Sequence, residues 1–269
     1  MALIDIHDVC VRYGSPLRPV LEGIDLSIEE GEFVCVLGQT GCGKSTLLRL
    51  VLGAEKPWGG EVLVDGHVHD QPDRTRGYVP QKYSLFPDKT VLDNITFGPE
   101  VSEFNVLSRF TPRFYARRRA FRRDAHDYLR RIGLQESDGR KYPDQLSGGM
   151  QQRVAIAQAL MTRPRILLMD EAFSALDPAT RRGMQCLIRK LWRDTGATIL
   201  FVTHNTQEAL SLGTRVIVLA KESAEAPSRV ALDMAVPEPC EEDEVPRLVR
   251  HLERAATASG PAAALSERS

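Results

Sequence analysis

No stretch of this 269-residue chain is apolar for long enough to cross a bilayer. A spanning helix needs roughly 20 consecutive apolar residues. The longest runs here, such as Ile166 to Met169 and Thr198 to Val202, have the length of buried strands. Nor is one charge in excess: 35 Lys and Arg stand against 36 Asp and Glu, for a net charge of -1. A dedicated nucleic-acid binder needs surplus cations to displace phosphate counterions, so nucleic acid is not an expected partner. The five cysteines (Cys10, Cys35, Cys42, Cys186 and Cys240) are odd in number and include no C-x-x-C pair. Neither a disulfide framework nor a zinc site fits that spacing, and reduced thiols in a cytosolic compartment are expected. The opening residues, Met1 to Val9, lack the basic-then-apolar order of a secretion signal. The expectation is a soluble protein whose membrane role, if any, comes through partners.

What is present is a globular composition, 42% hydrophobic and 26% charged, sufficient for a packed core. Ala2 to Tyr13 and Val20 to Ile28 alternate as strands do, and Phe33 to Leu37 is a near-continuous apolar run, the mark of a strand buried on both faces. A glycine-rich loop and a helix over Ser45 to Leu52 follow, then short strands at Glu61 to Val64 and Gly77 to Val79. From Val91 to Thr162 the pattern is helical, interrupted at Gly98-Pro99, Thr111-Pro112 and Tyr142-Pro143. Strand and helix then alternate: Ile166 to Met169, Pro178 to Asp194, Thr198 to Val202, Thr206 to Leu212 and Arg215 to Leu219. Such alternation predicts an α/β fold with a mostly parallel sheet and a helical insertion. Val230 to Leu232 reads as a last edge strand. The acidic Glu241 to Glu244 and a short amphipathic helix over Val245 to Ala256 come next, and an Ala/Ser/Gly/Pro-rich tail is expected to be disordered.

Two motifs carry chemistry on their own. Gly38-Gln39-Thr40-Gly41-Cys42-Gly43-Lys44-Ser45-Thr46 satisfies G-x-x-x-x-G-K-[ST] between a buried-type strand and a helix. Glycines let successive N–H groups wrap an anion, and the helix presents its positive N-terminus to phosphates. Lys44 then reaches the β- and γ-phosphates of ATP, and Ser45 ligates Mg²⁺. The second motif is a buried strand ending in Asp170-Glu171, two carboxylates at the sheet edge where open α/β folds bind ligands. Asp170 is placed to hold Mg²⁺ through water and Glu171 to orient the attacking water. Standing alone, the pair reads equally as solvated acids at a turn. Between the two motifs, Ser147 precedes Gly148 and Gly149 at the start of a helix over Met150 to Met161, which is either a second anion-binding helix terminus or simply a capped helix.

Leu146-Ser147-Gly148-Gly149-Met150-Gln151-Gln152-Arg153 resembles the signature of ATP-binding cassette (ABC) proteins, and it lies just before the Asp-Glu strand, as in that family. The resemblance covers about residues 1–233 and assigns further roles. Tyr13 matches the aromatic that stacks on adenine. Gln81, in Tyr78-Val79-Pro80-Gln81, matches the glutamine that contacts Mg²⁺ and the water. Ser174-Ala175-Leu176-Asp177 resembles the loop that crosses the dimer interface, and His204 matches the histidine that contacts the γ-phosphate. By themselves Tyr13, Gln81 and His204 are equally edge packing, a surface amide and a strand-end histidine. The fold implied is a P-loop NTPase core with an N-terminal antiparallel β subdomain, and a helical subdomain inserted at about residues 82–163. Residues 234–269 form a C-terminal segment. In such proteins two copies pair head to tail, so Ser147 and Gly149 complete the partner copy's nucleotide site. Three positions depart from the common pattern: Cys42 where serine is frequent, Ala172 where proline follows the acids, and Asn205 where aspartate follows the histidine.

The runs Tyr78 to Gln81, Leu85 to Pro87 and Thr90 to Ile95 are similar to the nitrate, sulfonate and taurine group of bacterial importers. The long insertion resembles the branch linked with urea- or guanidine-type compounds. The resemblance implies an ATPase on the cytoplasmic face of the inner membrane, held there by permease subunits and served by a periplasmic or extracellular solute-binding protein. A soluble ABC ATPase without a transport role, and an exporter or lipid-transport ATPase, stay open. The insertion also gathers Arg109, Arg113, Arg117, Arg118, Arg119, Arg122, Arg123, Arg130 and Arg131. That run is either a solvated helical face or a surface for anionic headgroups and acidic permease loops.

Overall fold

The structure, a computed structural model, describes residues 2–68, 71–82, 85–105, 108, 111–174, 176–223, 225–237 and 245–257. The strands are β1 (Ala2–Tyr13), β2 (Arg18–Glu29), β3 (Phe33–Gly38), β4 (Gly59–Val64), β5 (His67–Val68), β6 (Arg76–Val79), β7 (Ile166–Asp170), β8 (Thr198–Thr203), β9 (Arg215–Lys221) and β10 (Ser228–Ala235). The α-helices are α1 (Lys44–Leu52), α2 (Val91–Glu103), α3 (Pro112–Arg131), α4 (Gly148–Met161), α5 (Pro178–Thr195), α6 (Thr206–Leu212) and α7 (Val245–Thr257). Two compact units share them: Met1–Asp73 with Gly196–Ser269, and Arg74–Thr195.

The first unit is a mixed sheet in the order β5-β4-β1-β2-β10-β9-β3-β8. Its N-terminal part is antiparallel, with Ile6 facing Leu26 on β2 and Val62 on β4. Its core is parallel: β3 runs between β8 and β9, with Val36 level with Val202 and Ile217. Every residue of β3 and β8 is buried, so neither strand shows the alternation of a half-exposed one. Each such Val, Leu, Ile or Phe contributes about 1.5–3 kcal/mol by leaving water. The expected edge strand Val230 to Leu232 is longer and is not at an edge. β10 is antiparallel to β9 and meets β2 in parallel at Ser228 and Leu21. Its short apolar run hid this, because β10 alternates half-buried with exposed positions and its one fully buried residue, Ser228, is polar. Arg215 fastens the same region. Its guanidinium donates to both oxygens of Asp233 at 2.7 Å, to the Ser27 carbonyl at 2.8 Å and to Glu32 at 3.2 Å.

In the second unit β6 and β7 pair in parallel, Val79 with Met169. Thr90 caps α2, accepting from the Asp93 N–H. The expected break at Gly98-Pro99 does not occur: α2 continues through Pro99, whose ring is buried. A helix-interior proline costs about 3 kcal/mol in lost hydrogen bond and clash, and here buried packing offsets it. At Thr111-Pro112 the break is real: Thr111 accepts from the Phe114 N–H and Pro112 opens α3, the position where a missing N–H is least costly.

The arginine run on α3 is partly neutralised from within. Arg117 pairs with Glu103 at 2.8 Å, Arg118 with Glu100 at 3.1 Å and Asp93 at 3.2 Å, and Arg122 with Asp93 at 2.8 Å. Arg130 pairs with Glu136 at 3.3 Å and with Asp127. Arg109, Ala175, Cys240, the acidic run Glu241 to Glu244 and the tail after Thr257 lie outside the described residues. Among the described residues no helix is long and apolar enough to cross a membrane.

Candidate functional site

In the first unit, buried β3 delivers the chain to Gly38, and α1 begins six residues later at Lys44. Gly41 and Gly43 have φ of 79° and 92°, a left-handed conformation open to glycine without penalty. Gly43 caps α1 with no side-chain hydrogen bond, and the N-terminus of a helix is where backbone N–H groups and the helix dipole favour an anion. The Lys44 side chain is 5% exposed and lies along the loop, donating to the carbonyls of Gly38 at 2.8 Å and Gln39 at 3.0 Å. Gln39, Thr40 and Gly41 are exposed, and Ser45 is half-buried. The Cys42 thiol is buried beside Gly38, and burial above all pushes its pKa up, so it stays a neutral packing group.

Tyr13, at the end of β1, donates its hydroxyl to Thr46 Oγ1 at 3.4 Å, which brings this aromatic to α1. Its ring is 39% exposed. Burial first, then Glu55, raises the pKa of the hydroxyl. His204 is exposed immediately after β8. Because Leu37 is level with Thr203, His204 and Gly38 leave the parallel sheet at the same end, where such sheets bind ligands. The neighbours of His204 are fixed. Thr203 donates to Glu208 at 2.6 Å, and Asn205 caps α6 by accepting from the Glu208 N–H at 3.0 Å.

In the second unit, β7 is buried throughout and Asp170, its last residue, is 4% exposed. Glu171 follows at φ 45°. A non-glycine residue there stores strain of order 1–3 kcal/mol, typical of functional positions. Gln81 Nε2 donates to Glu171 Oε2 at 3.0 Å, because the parallel pairing of β6 and β7 sends both residues out at one end. Ser147 caps α4, accepting from the Met150 N–H at 3.3 Å. The helix starts at Gly148 rather than the expected Met150, so both glycines contribute N–H groups to its first turn. Asp177 accepts from the N–H groups of Ala179 and Thr180 at 3.2 and 3.0 Å. Its hydrogen bonds to Thr180, then to Ala179, hold its pKa low.

Three supporting residues escaped the sequence reading. Asn94, fully buried in α2, accepts from the Phe86 N–H at 2.8 Å and donates to the carbonyls of Phe86, Lys89 and Thr90 at 3.0–3.1 Å. A polar residue within Val91 to Ile95 was the available signal. Gln152, 1% exposed, donates to the Pro80 carbonyl at 3.5 Å, joining α4 to the residue before Gln81. Arg153 donates to the carbonyls of Ile132 and Gly133 at 3.2 and 3.0 Å.

Residues 21–174 match the profile of the family described as ABC transporter. The chain belongs to that family. It is 37% identical over 233 residues to the taurine import ATP-binding protein TauB of Escherichia coli O157:H7, covering 87% of this chain and 86% of the relative. It is 39% identical over 223 residues to the nitrate import ATP-binding protein NrtD of Synechococcus elongatus, covering 81% and 77%. Among solved structures it is similar to the ATP-binding cassette MJ0796, a dimer bound to ADP and Pi in a post-hydrolysis state. The TM-score is 0.74 at 31% identity, over 87% of this chain and 99% of that one. This ABC chain is therefore an ATP-binding, ATP-hydrolysing domain with the cassette fold.

Proposed function

We propose that the chain is the ATPase subunit of an ABC importer, working as a homodimer beneath integral-membrane permease subunits at the cytoplasmic face of the membrane. A solute-binding protein on the other side delivers a small polar solute. The carrying observation is the Gln81–Glu171 hydrogen bond at 3.0 Å, made to a glutamate in a strained backbone conformation. Strain of that kind persists only where the surroundings fix the residue.

In this reading the loop N–H groups and Lys44 bind the β- and γ-phosphates, with Gln39, Thr40 and Thr46 framing them and Tyr13 stacking on adenine. The Ser45 hydroxyl, Asp170 carboxylate and Gln81 carbonyl are hard oxygen donors and suit Mg²⁺. When bound, the metal supplies neutralisation of phosphate charge. Glu171 orients a water and draws on its proton as the water oxygen adds to the γ-phosphorus; the bond to the bridging oxygen breaks and ADP leaves. His204 contacts the γ-phosphate. Ser147, Gly148 and Gly149 face the second copy's nucleotide, and Asp177 lies at the dimer interface. Binding of ATP thereby favours the closed dimer, and hydrolysis releases it.

Support for import of a small polar solute comes from the relatives named for taurine and nitrate import. The long insertion keeps urea- and guanidine-type compounds in that class. The experiment is Glu171→Gln, followed by gel filtration with ATP and by phosphate release. The expected result is an ATP-dependent dimer with turnover nearly abolished. Normal turnover overturns the role given to Glu171.

A further inference from the structure

A cleft of about 640 Å³ lies between the end of β10 and α7 in the first unit. That size falls within the range of small-molecule sites. Met234, Pro237 and Leu248 contribute apolar surface, and the rest of its described lining is Arg247, Arg250, His251 and Arg254. Among the described lining residues none is acidic. The four basic residues follow i, i+3, i+4, i+7 spacing and so share one helix face. Like charges at i,i+3 and i,i+4 repel, as Arg247 with Arg250 and Arg250 with Arg254 do; Glu253 is the one acidic residue of α7, and it is not in the cleft lining. Helix stability explains only one of them. Arg254 sits in the last turn, where the dipole favours a cation, whereas Arg247 sits in the first turn, where it does not. Among the described residues neither Arg247 nor Arg250 has an acidic partner, whereas Arg117, Arg118 and Arg122 on α3 all do. Guanidinium forks match phosphate oxygens in pairs, and the apolar residues suit a short carbon skeleton.

We infer that this cleft binds a small phosphate ester. The cleft is separate from the nucleotide loop, but the helix that lines it reaches the loop: the Ala256 carbonyl in the last turn of α7 accepts from Gln39 Nε2 at 3.4 Å. The phosphate ester comes either from solution or from the headgroup of an anionic lipid, and two arms distinguish them. In one, glycerol 1-phosphate is titrated into the full chain with the nucleotide loop saturated by MgADP. In the other, the same protein is sedimented with phosphatidylglycerol vesicles, with phosphatidylcholine vesicles as reference. Binding in either arm, weakened at least about tenfold by Arg247→Ala with Arg250→Ala while MgADP affinity is unchanged, supports the inference and names the source. No binding in either arm overturns it. So does binding that MgADP competes away, which belongs to the phosphate loop. Binding that appears only after Glu241, Glu242, Asp243 and Glu244 are neutralised also overturns it, because the chain's own acids are then the occupant.

Discussion

Gly38→Ala separates two reasons for glycine in the phosphate loop. Gly38 is not in the left-handed region, yet a Cβ there meets Cys42 Sγ at 2.5 Å and the Leu219 carbonyl oxygen at 2.6 Å. The first contact is a small side chain; the second is backbone of β9, paired with Gly38 in the ladder. Relief therefore requires parting β3 from β9. Overpacking of this kind costs about 1–3 kcal/mol, and two contacts below 3 Å put the cost near the top of that range. The entropy that alanine removes from the unfolded chain offsets about 0.4–1 kcal/mol, leaving a loss of about 2–3 kcal/mol. At about 2–4 °C per kcal/mol for a chain of this size, Tm falls by about 5–10 °C. Gly41→Ala is the contrast. Its Cβ meets nothing within 4 Å, but φ is 79°, so the cost is about 1–2 kcal/mol of backbone strain. Urea unfolding of both variants, with MgADP titration of each, tests the ranking. Gly38→Ala within about 0.5 kcal/mol of the wild type, with unchanged MgADP affinity, refutes the steric argument.

Asn94→Ala should lower stability by about 2–4 kcal/mol in urea unfolding, since it strands the Phe86 N–H and the carbonyls that the amide satisfied; isosteric Asn94→Asp should not restore it, because a carboxylate cannot donate to those carbonyls. Burial raises the Asp93 pKa, but the Thr90 hydroxyl, Arg122 and Arg118 outweigh it and the net shift is downward. A depressed carboxylate stabilises fully above its unfolded value and loses that contribution as pH falls through the folded one. Unfolding free energy should therefore drop below about pH 4, and Asp93→Asn should lower stability by about 1 kcal/mol at pH 7 and flatten the acid limb. An unchanged acid limb in the variant contradicts the pairing.

Elements whose signal is local were legible in the sequence. Buried β3 and β8, the loop after β3 and the Ser147 cap each carry their evidence within ten residues. The misread elements depend on distant partners. β10 looked like an edge because nothing in Val230 to Leu232 announces β2, more than two hundred residues earlier, on its far side. Pro99 looked like a helix end because the packing that accommodates it is tertiary. The arginine run looked like an open charge because its acids, Asp93, Glu100 and Glu103, lie on another helix. Binary pattern gives faces and caps; it does not give which face meets which.

The three departures from the common cassette pattern each have a local physical account in this structure. Asn205 stands where aspartate is usual, and its side-chain oxygen still accepts from the Glu208 N–H at 3.0 Å; the cap needs an acceptor, and Asn and Asp rank equally there. Cys42 stands where serine is frequent, and its contribution is volume beside Gly38 rather than chemistry, since burial keeps the thiol protonated. Ala172 replaces proline after the acids and is fully buried. The turn it enters is closed by the Ser174 N–H donating to the Glu171 carbonyl at 3.0 Å, so Glu171 is held without the ring that elsewhere fixes φ.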